Sequence, residues 1–402
     1  MRTAYGVARH VWSPDDAWLA VVRDADEAVL CLEAETGREV FAWDPPRFWR
    51  GVFLVAASDE ALLVVTRARD DVRVFMLAVP DGGVLGEARF DAAPGDLAVE
   101  VSADGATAVV LSGLTHDPKG RGYELTWLDT RSLRVVGRCP ARSVEGDRPR
   151  RMVMHPDGLW ATWVTPQQSA RFDDRRQVER FDRQGAVLTG PGFAGSGDLR
   201  ALRWAGADRL LVAVDPVAAT PAAGWTRVLL TDPAGGRVLF DGEREARRVG
   251  VALVYAEADV HPDDGRILVA WTDRLADMAD PAPGTATVIG REGDLLAGWQ
   301  TPSAYAAAYG AVWAGAGDAV IELVGGDDDR VVLRRREGFG DEGAVVLVER
   351  LTLRGEASAR TRDRGVAATL ARSPRGRWLV VGWTLGRYAR DEQLSWVALA
   401  DG

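Results

Sequence analysis

Short apolar runs, each introduced by a tight polar turn, recur along the whole chain. They cover residues 19–22, 62–65, 108–111, 210–214, 267–271, 320–324 and 378–381. The runs are too short for helices, rich in valine and bounded by polar residues, which is the pattern of buried strands. The turn is most complete at His155-Pro156-Asp157-Gly158, where it leads into Leu159-Trp160-Ala161-Thr162-Trp163-Val164. Copies stand at Trp12-Ser13-Pro14-Asp15-Asp16, Ala57-Ser58-Asp59-Glu60, Val101-Ser102-Ala103-Asp104-Gly105 and Trp204-Ala205-Gly206-Ala207-Asp208. Three more are Val260-His261-Pro262-Asp263-Asp264-Gly265, Trp313-Ala314-Gly315-Ala316-Gly317-Asp318 and Arg372-Ser373-Pro374-Arg375-Gly376. From Ser13 to Ser373 seven intervals span 360 positions, a mean period of about 51 residues.

Most periods continue with a third strand, at 28–32, 72–77, 125–128, 227–230, 287–289 and 344–348. A second turn and a less apolar fourth strand follow, as at 39–43 and 237–240. Four antiparallel strands per period make a propeller blade. The expected fold is all-β, one β-propeller domain over residues 1–402 with eight blades. Seven blades are the alternative, should the Ser58 copy or the irregular seventh copy belong to a neighbour. The last copy supplies three strands, and residues 1–5 are a short candidate for its fourth. That blade is therefore expected to be three-stranded or to offer its edge to a partner.

The Ser-Pro-Asp-Gly-like turns and the strands after them resemble WD40-type and TolB-like propeller repeats over nearly the whole chain. The Gly-His and Trp-Asp dipeptides of regular WD40 blades are missing at the matching places, so the resemblance names no subfamily. Leu32-Glu33-Ala34-Glu35-Thr36-Gly37-Arg38-Glu39-Val40-Phe41-Ala42-Trp43 looks like one repeat of an eight-bladed quinoprotein. It occurs once, and no quinone cofactor is expected. The expected function is a non-enzymatic interaction scaffold that presents its long-loop face to a protein partner; the alternative is an enzyme of the lyase, hydrolase or lactonase kind, or a small-ligand binder, working in the central channel.

Composition changes this picture little. A formal net charge of -10 argues against binding along a phosphate backbone, so no nucleic-acid partner is expected. Lys119 is the one lysine and asparagine is absent, a bias suited to a GC-rich, bacterial genome. Turns must then be built from Asp, Gly, Pro and Ser. Cys31 and Cys139 fall in apolar contexts at unrelated repeat positions and read as buried small hydrophobes in a reducing, cytoplasmic compartment. No signal-peptide-like stretch opens the chain, and no apolar run approaches the roughly 18 residues of a membrane span.

Candidate chemistry is sparse. Function is expected on the face that carries the long loops at 112–123, 166–176, 215–225, 272–284, 325–343 and 384–393. There Arg171, Phe172, Arg175, Arg176, Arg387, Tyr388 and Arg390 combine arginine and aromatic anchors, the residue types of protein interfaces. A protein partner is thus expected at these seven residues. Arginine clusters at Arg148, Arg150 and Arg151, at Arg244, Arg247 and Arg248, and at Arg360, Arg362 and Arg364 would hold an acidic ligand if they converged, although neighbouring acids offset them. His10, His116, His155 and His261 form no metal-binding spacing, and no phosphate loop surrounds Lys119. His155 and His261 share one repeat position, as structural turn residues do. No catalytic residue, metal or cofactor is expected from these patterns. The recurrent tryptophans, Trp12, Trp204 and Trp313 before the turn and Trp163, Trp271 and Trp383 ending the second strand, suit packing between blades.

Overall fold

The computed structural model describes residues 2–4, 7–23, 26–46, 50–56, 58–67, 71–91, 93–113, 122–142, 152–167, 175–194, 199–214, 227–232, 237–241, 253–273, 281–282, 285–300, 304–305, 309–315, 317–325, 330–339, 344–352, 366–385 and 392–399. Among them every regular element is a strand. Eight four-stranded antiparallel sheets are the blades of a β-propeller, and both the Ser58 copy and the seventh copy build a blade of their own.

Blade 1 comprises Val7–Trp12, Trp18–Arg23, Val29–Glu33 and Glu39–Trp43, and blade 2 Arg50–Ala56, Ala61–Arg67, Asp71–Ala78 and Val84–Asp91. Blade 3 comprises Ala93–Val101, Thr107–Gly113, Gly122–Asp129 and Val135–Arg142, and blade 4 Met152–Met154, Ala161–Gln167, Arg175–Phe181 and Val187–Ala194. Blade 5 is Leu199–Trp204, Leu210–Val214, Arg227–Asp232 and Arg237–Asp241, and blade 6 Leu253–Val260, Ile267–Asp273, Thr285–Ile289 and Leu295–Gln300. Blade 7 is Tyr309–Trp313, Val320–Gly325, Arg330–Glu337 and Ala344–Thr352. Val366–Arg372, Trp378–Leu385 and Glu392–Ala398 make three strands of blade 8. By contact the chain divides into two compact units: Ala8–Val212 with Thr231–Val238, and Met1–Val7 with Ala213–Leu230 and Leu239–Gly402.

Strand position within a blade decides how apolar a strand must be. Second strands lie inside the sheet and are covered on both faces, so Thr107–Gly113 and Leu210–Val214 are buried at every position. Fourth strands are edges, and Val84–Asp91 buries only Phe90. The core is divided among the seams between neighbouring blades. Phe75, Leu77 and Phe41 fill the seam of blades 1 and 2, Leu63, Val65, Phe90 and Leu133 that of blades 2 and 3, and Leu111, Trp127, Met152 and Trp163 that of blades 3 and 4.

The repeated turn is held by its own polar residues. In blade 1 the Trp18 amide donates to Ser13 Oγ at 3.0 Å and Ser13 Oγ donates to Asp15 at 2.6 Å; Ser102 and Asp104 repeat this in blade 3 at 2.9 and 2.6 Å. The turn needs a left-handed residue, which is Asp16 in blade 1 and glycine at 105, 158 and 376.

Two expectations need correction. The eighth blade is neither three-stranded nor open, because Arg2–Ala4 pairs with Glu392–Ala398 in the register Arg2↔Trp396, Thr3↔Ser395, Ala4↔Leu394. Its third strand lies between, and Arg2–Ala4 fills the edge. In the seventh copy, residues 330–337 are not loop but the third strand, which displaces Ala344–Thr352 to fourth place. Three consecutive arginines obscure that strand in the sequence. Leu333 is buried in it, and Arg336 is buried beside Glu322, Nε to Oε1 3.4 Å, with its guanidinium 5.3 Å from the Trp299 ring.

Candidate functional site

The predicted partner-binding residues fall largely outside the described residues. Arg171, Phe172, Arg387, Tyr388 and Arg390 lie there, as do His116 and the three arginine clusters. Arg175 and Arg176 open the third strand of blade 4, opposite Gln167 and Pro166, and so belong to the sheet rather than to a loop.

On the short-turn side, histidine and tryptophan join consecutive blades. His155 Nε2 meets the Ala207 carbonyl oxygen, and the ring stands edge-on to Trp204 with centroids 4.5 Å apart. The guanidinium of Arg180 lies 5.6 Å from the same indole. His261 treats Trp313 alike at 4.7 Å, and Arg266 caps that indole at 5.1 Å while bridging Asp264 and Asp318. Phe339 extends the stack, edge-on to Trp313 and stacked on Trp299. These groups are committed to one another, which leaves them as pegs between blades rather than as ligand contacts.

The inner strands carry charge two positions before the turn, at Glu100 in blade 3 and Asp259 in blade 6. Asp259 is fully used. It accepts the Trp313 amide at 2.9 Å and both Arg372 Nε and Nη2, at 2.8 and 3.2 Å, so one carboxylate ties together the inner strands of blades 6, 7 and 8. Glu100 is the opposite case. It pairs in register with Val109 and follows Ala98 on the strand face that packs with Met152 and Met154, and no described residue pairs with its carboxyl. Burial pushes that carboxyl up to about 8. On the inner strand of blade 1, desolvation lowers the His10 pKa, and Arg9 stacks on Phe53 at 3.6 Å. A carboxyl whose pKa is raised in this way can donate a hydrogen bond or a proton. Among the described residues no cluster of three His, Cys, Asp or Glu converges on a point that would hold a metal.

A further surface lies on the outer strands, away from the loops that the sequence singles out. The exposed large hydrophobics are Val84 and Leu85, Val135 and Val136, Val187 and Leu188, Val238, Leu295 and Leu296, together with Leu159. All but Leu159 stand at the start of a fourth strand. In the unit formed by residues 8–212 and 231–238 the pairs of blades 2, 3 and 4 adjoin one another through the intervening turns. A Cβ at Gly86 would lie 3.2 Å from Leu133 of blade 3, and one at Gly137 only 2.8 Å from the Arg183 carbonyl oxygen of blade 4. The doublets at 84, 135 and 187 recur at nearly the repeat period, a signal present in the sequence. Cys31 and Cys139 are buried and unpaired, with thiols pushed up by burial to about 12 and about 11. No described helix is long and apolar enough to cross a membrane.

No protein-family profile matches the chain, and no curated protein matches its sequence. Many solved structures share its fold. The C-terminal WD40 domain of Sif2 aligns with a TM-score of 0.58 at 11% identity, covering 100% of this chain and 97% of that one. A eukaryotic initiation factor aligns at 0.53 and 10% identity, covering 98% and 88%. The dihydro-heme d1 dehydrogenase NirN, in complex with DHE, aligns at 0.53 and 14% identity, covering 97% and 75%. The chain is thus WD40-like in fold, and similar folds serve both WD40 proteins and an enzyme.

Proposed function

We propose that this eight-bladed propeller is a non-enzymatic interaction scaffold whose outer strands carry a docking surface for another protein. The observation that supports it is the recurrence of exposed apolar pairs at one place in three consecutive blades: Val84 with Leu85, Val135 with Val136, and Val187 with Leu188. Covering such side chains gains about 25 cal/mol per Å² of apolar surface removed from water, and contiguous exposed apolar surface marks interaction sites. The Sif2 WD40 domain is consistent with this reading at the level of fold. Buried, unpaired Cys31 and Cys139 suit a reducing, cytoplasmic setting. The long-loop residues Arg171, Phe172, Arg387, Tyr388 and Arg390, with Arg175 and Arg176 at the start of the adjoining strand, are the second proposed docking face.

A photo-cross-linking amino acid placed at Val136 or Leu188, and in parallel at Phe172 or Tyr388, tests the reading in cells. One protein captured reproducibly at 136 and 188 supports the outer-strand surface. Capture only at 172 and 388 moves docking to the long loops, and capture at none of the four ends the scaffold reading.

The second reading is a small-ligand binder or enzyme of the central channel. Glu100 favours it, as a partly buried inner-strand carboxyl that no described residue pairs with.

A further inference from the structure

Edge strands invite pairing unless something blocks them, and blades 2, 3 and 4 differ in this respect. Each has an eight-residue fourth strand. Those of blades 3 and 4 contain Pro140 and Pro191, which remove a backbone donor. Val84–Asp91 contains no proline and reads Val-Leu-Gly-Glu-Ala-Arg-Phe-Asp.

That strand is complementary to itself. When it runs antiparallel to a copy of itself with Ala88 opposite Ala88, Glu87 of each strand faces Arg89 of the other, and Gly86 faces Phe90. Sliding the two strands to centre on Glu87 or on Arg89 would set like charges against each other. Registers between these face the charges with alanine, glycine or phenylalanine. Opposite charges directly across strands are favourable and like charges unfavourable, so one register is selected.

Both charged groups keep capacity for a further contact. Glu87 is 3.3 Å from Arg73 and its side chain remains 44% exposed; Arg89 pairs with the buried Asp71 and its side chain remains 60% exposed. A second copy would extend these ion pairs into a ladder of alternating sign, from Asp71 and Arg89 of one chain to Glu87 and Arg73 of the other.

We propose that the chain forms a two-fold homodimer by antiparallel pairing of Val84–Asp91 with the same strand of a second copy, centred on Ala88 and selected by Glu87 facing Arg89. The contact is isologous, and it joins two four-stranded blades into one eight-stranded sheet. A single strand pair is a small interface, so dissociation in the micromolar range follows.

Sedimentation and light scattering of the full chain at about 10 to 100 μM should show a reversible dimer. Ala88→Cys should cross-link to itself on mild oxidation, since directly opposed residues lie within the roughly 4.4–6.8 Å that a disulfide spans. Glu87→Arg should weaken the dimer at least about tenfold, and so should Arg89→Glu. An equal mixture of the two variants should recover it, because the positive charge introduced at position 87 of one variant then faces the negative charge introduced at position 89 of the other. Thermal melts establish that each variant is folded, and the Ala88→Cys cross-link stands independently should Arg89→Glu fail to fold. A monomer at every concentration, a dimer indifferent to Glu87→Arg, or an Ala88→Cys dimer that fails to cross-link overturns the proposal.

Discussion

His155 Nε2 lies 2.7 Å from the carbonyl oxygen of Ala207, 52 residues further on and in the next blade. His261 repeats the relation with Gly317 at 2.8 Å. In blades 1, 3 and 8 serine takes the same place, and its hydroxyl serves its own turn. An imidazole is long enough to serve its own turn through Nδ1, which accepts the Asp157 amide at 3.2 Å, while Nε2 donates to the neighbour.

Replacing His155 by Ala should therefore lower stability by about 1–2 kcal/mol, the cost of losing a buried hydrogen bond with its partner left in place. His155→Ser should fall between alanine and wild type, because serine restores the in-turn bond alone. Urea denaturation of the three proteins checks this, and a serine variant as stable as wild type would remove the inter-blade role.

Asp259 and Arg372 are 16% and 12% exposed at their side chains, so each depends on the other for neutralisation. Asp259→Ala should cost about 3 kcal/mol, since it strands a mostly buried guanidinium. Adding Arg372→Met should restore much of that loss. A double-mutant cycle reads the coupling directly, and additive losses would show that the pair is not the unit.

Glu100 ties stability to pH. Its folded pKa of about 8 stands above the ordinary value of 4.5, so between those values the unfolded chain has released a proton that the folded chain keeps. The contribution of Glu100 is fully present below pH 4.5 and is lost as pH rises towards about 8. Stability should decline across this window, and Glu100→Gln should flatten the decline. Denaturation midpoints of both proteins at a series of pH values measure the difference in slope, and equal slopes would refute it.

Gly158 has φ of +68°, and a Cβ there would sit 2.8 Å from Ser102 Cβ in the preceding blade. Gly338, at φ +80°, has nothing within 4 Å of the same position. Gly338→Ala should cost about 1 kcal/mol, the backbone part alone. Gly158→Ala should cost clearly more, and the excess, read from thermal or urea unfolding, measures how tightly the turns of blades 3 and 4 are packed.

The parts of the fold visible in sequence are those that local burial dictates. The second strand of blade 5, Leu210–Val214, is a five-residue apolar run that coincides with the strand, because a sheet interior tolerates little else. The third strand of blade 7 was hidden because Arg336 is neutralised by Glu322 and covered by Trp299, from a different strand and a different blade. Asp259 and Arg372 are 113 residues apart, and nothing local marks them as a pair. The apolar pairs were in plain view, but they count as core until the strands bearing them are known to be edges. The long-loop residues Arg171, Phe172, Arg387, Tyr388 and Arg390 lie outside the described residues, so their sequence pattern remains the sole basis for them.

Blade 8 takes its outer strand from Arg2–Ala4, with Ala4 against Leu394. In a growing chain the first of these residues emerges some 390 positions before the second, which at about 5–20 residues per second is roughly 20 to 80 seconds. Blades 1 to 7 can each complete from neighbouring sequence, whereas Arg2–Ala4, made first, must wait for the strands of blade 8. Completion of that blade therefore comes after the sequence of the other seven is already made, and it closes the widest sequence separation of any strand pair described.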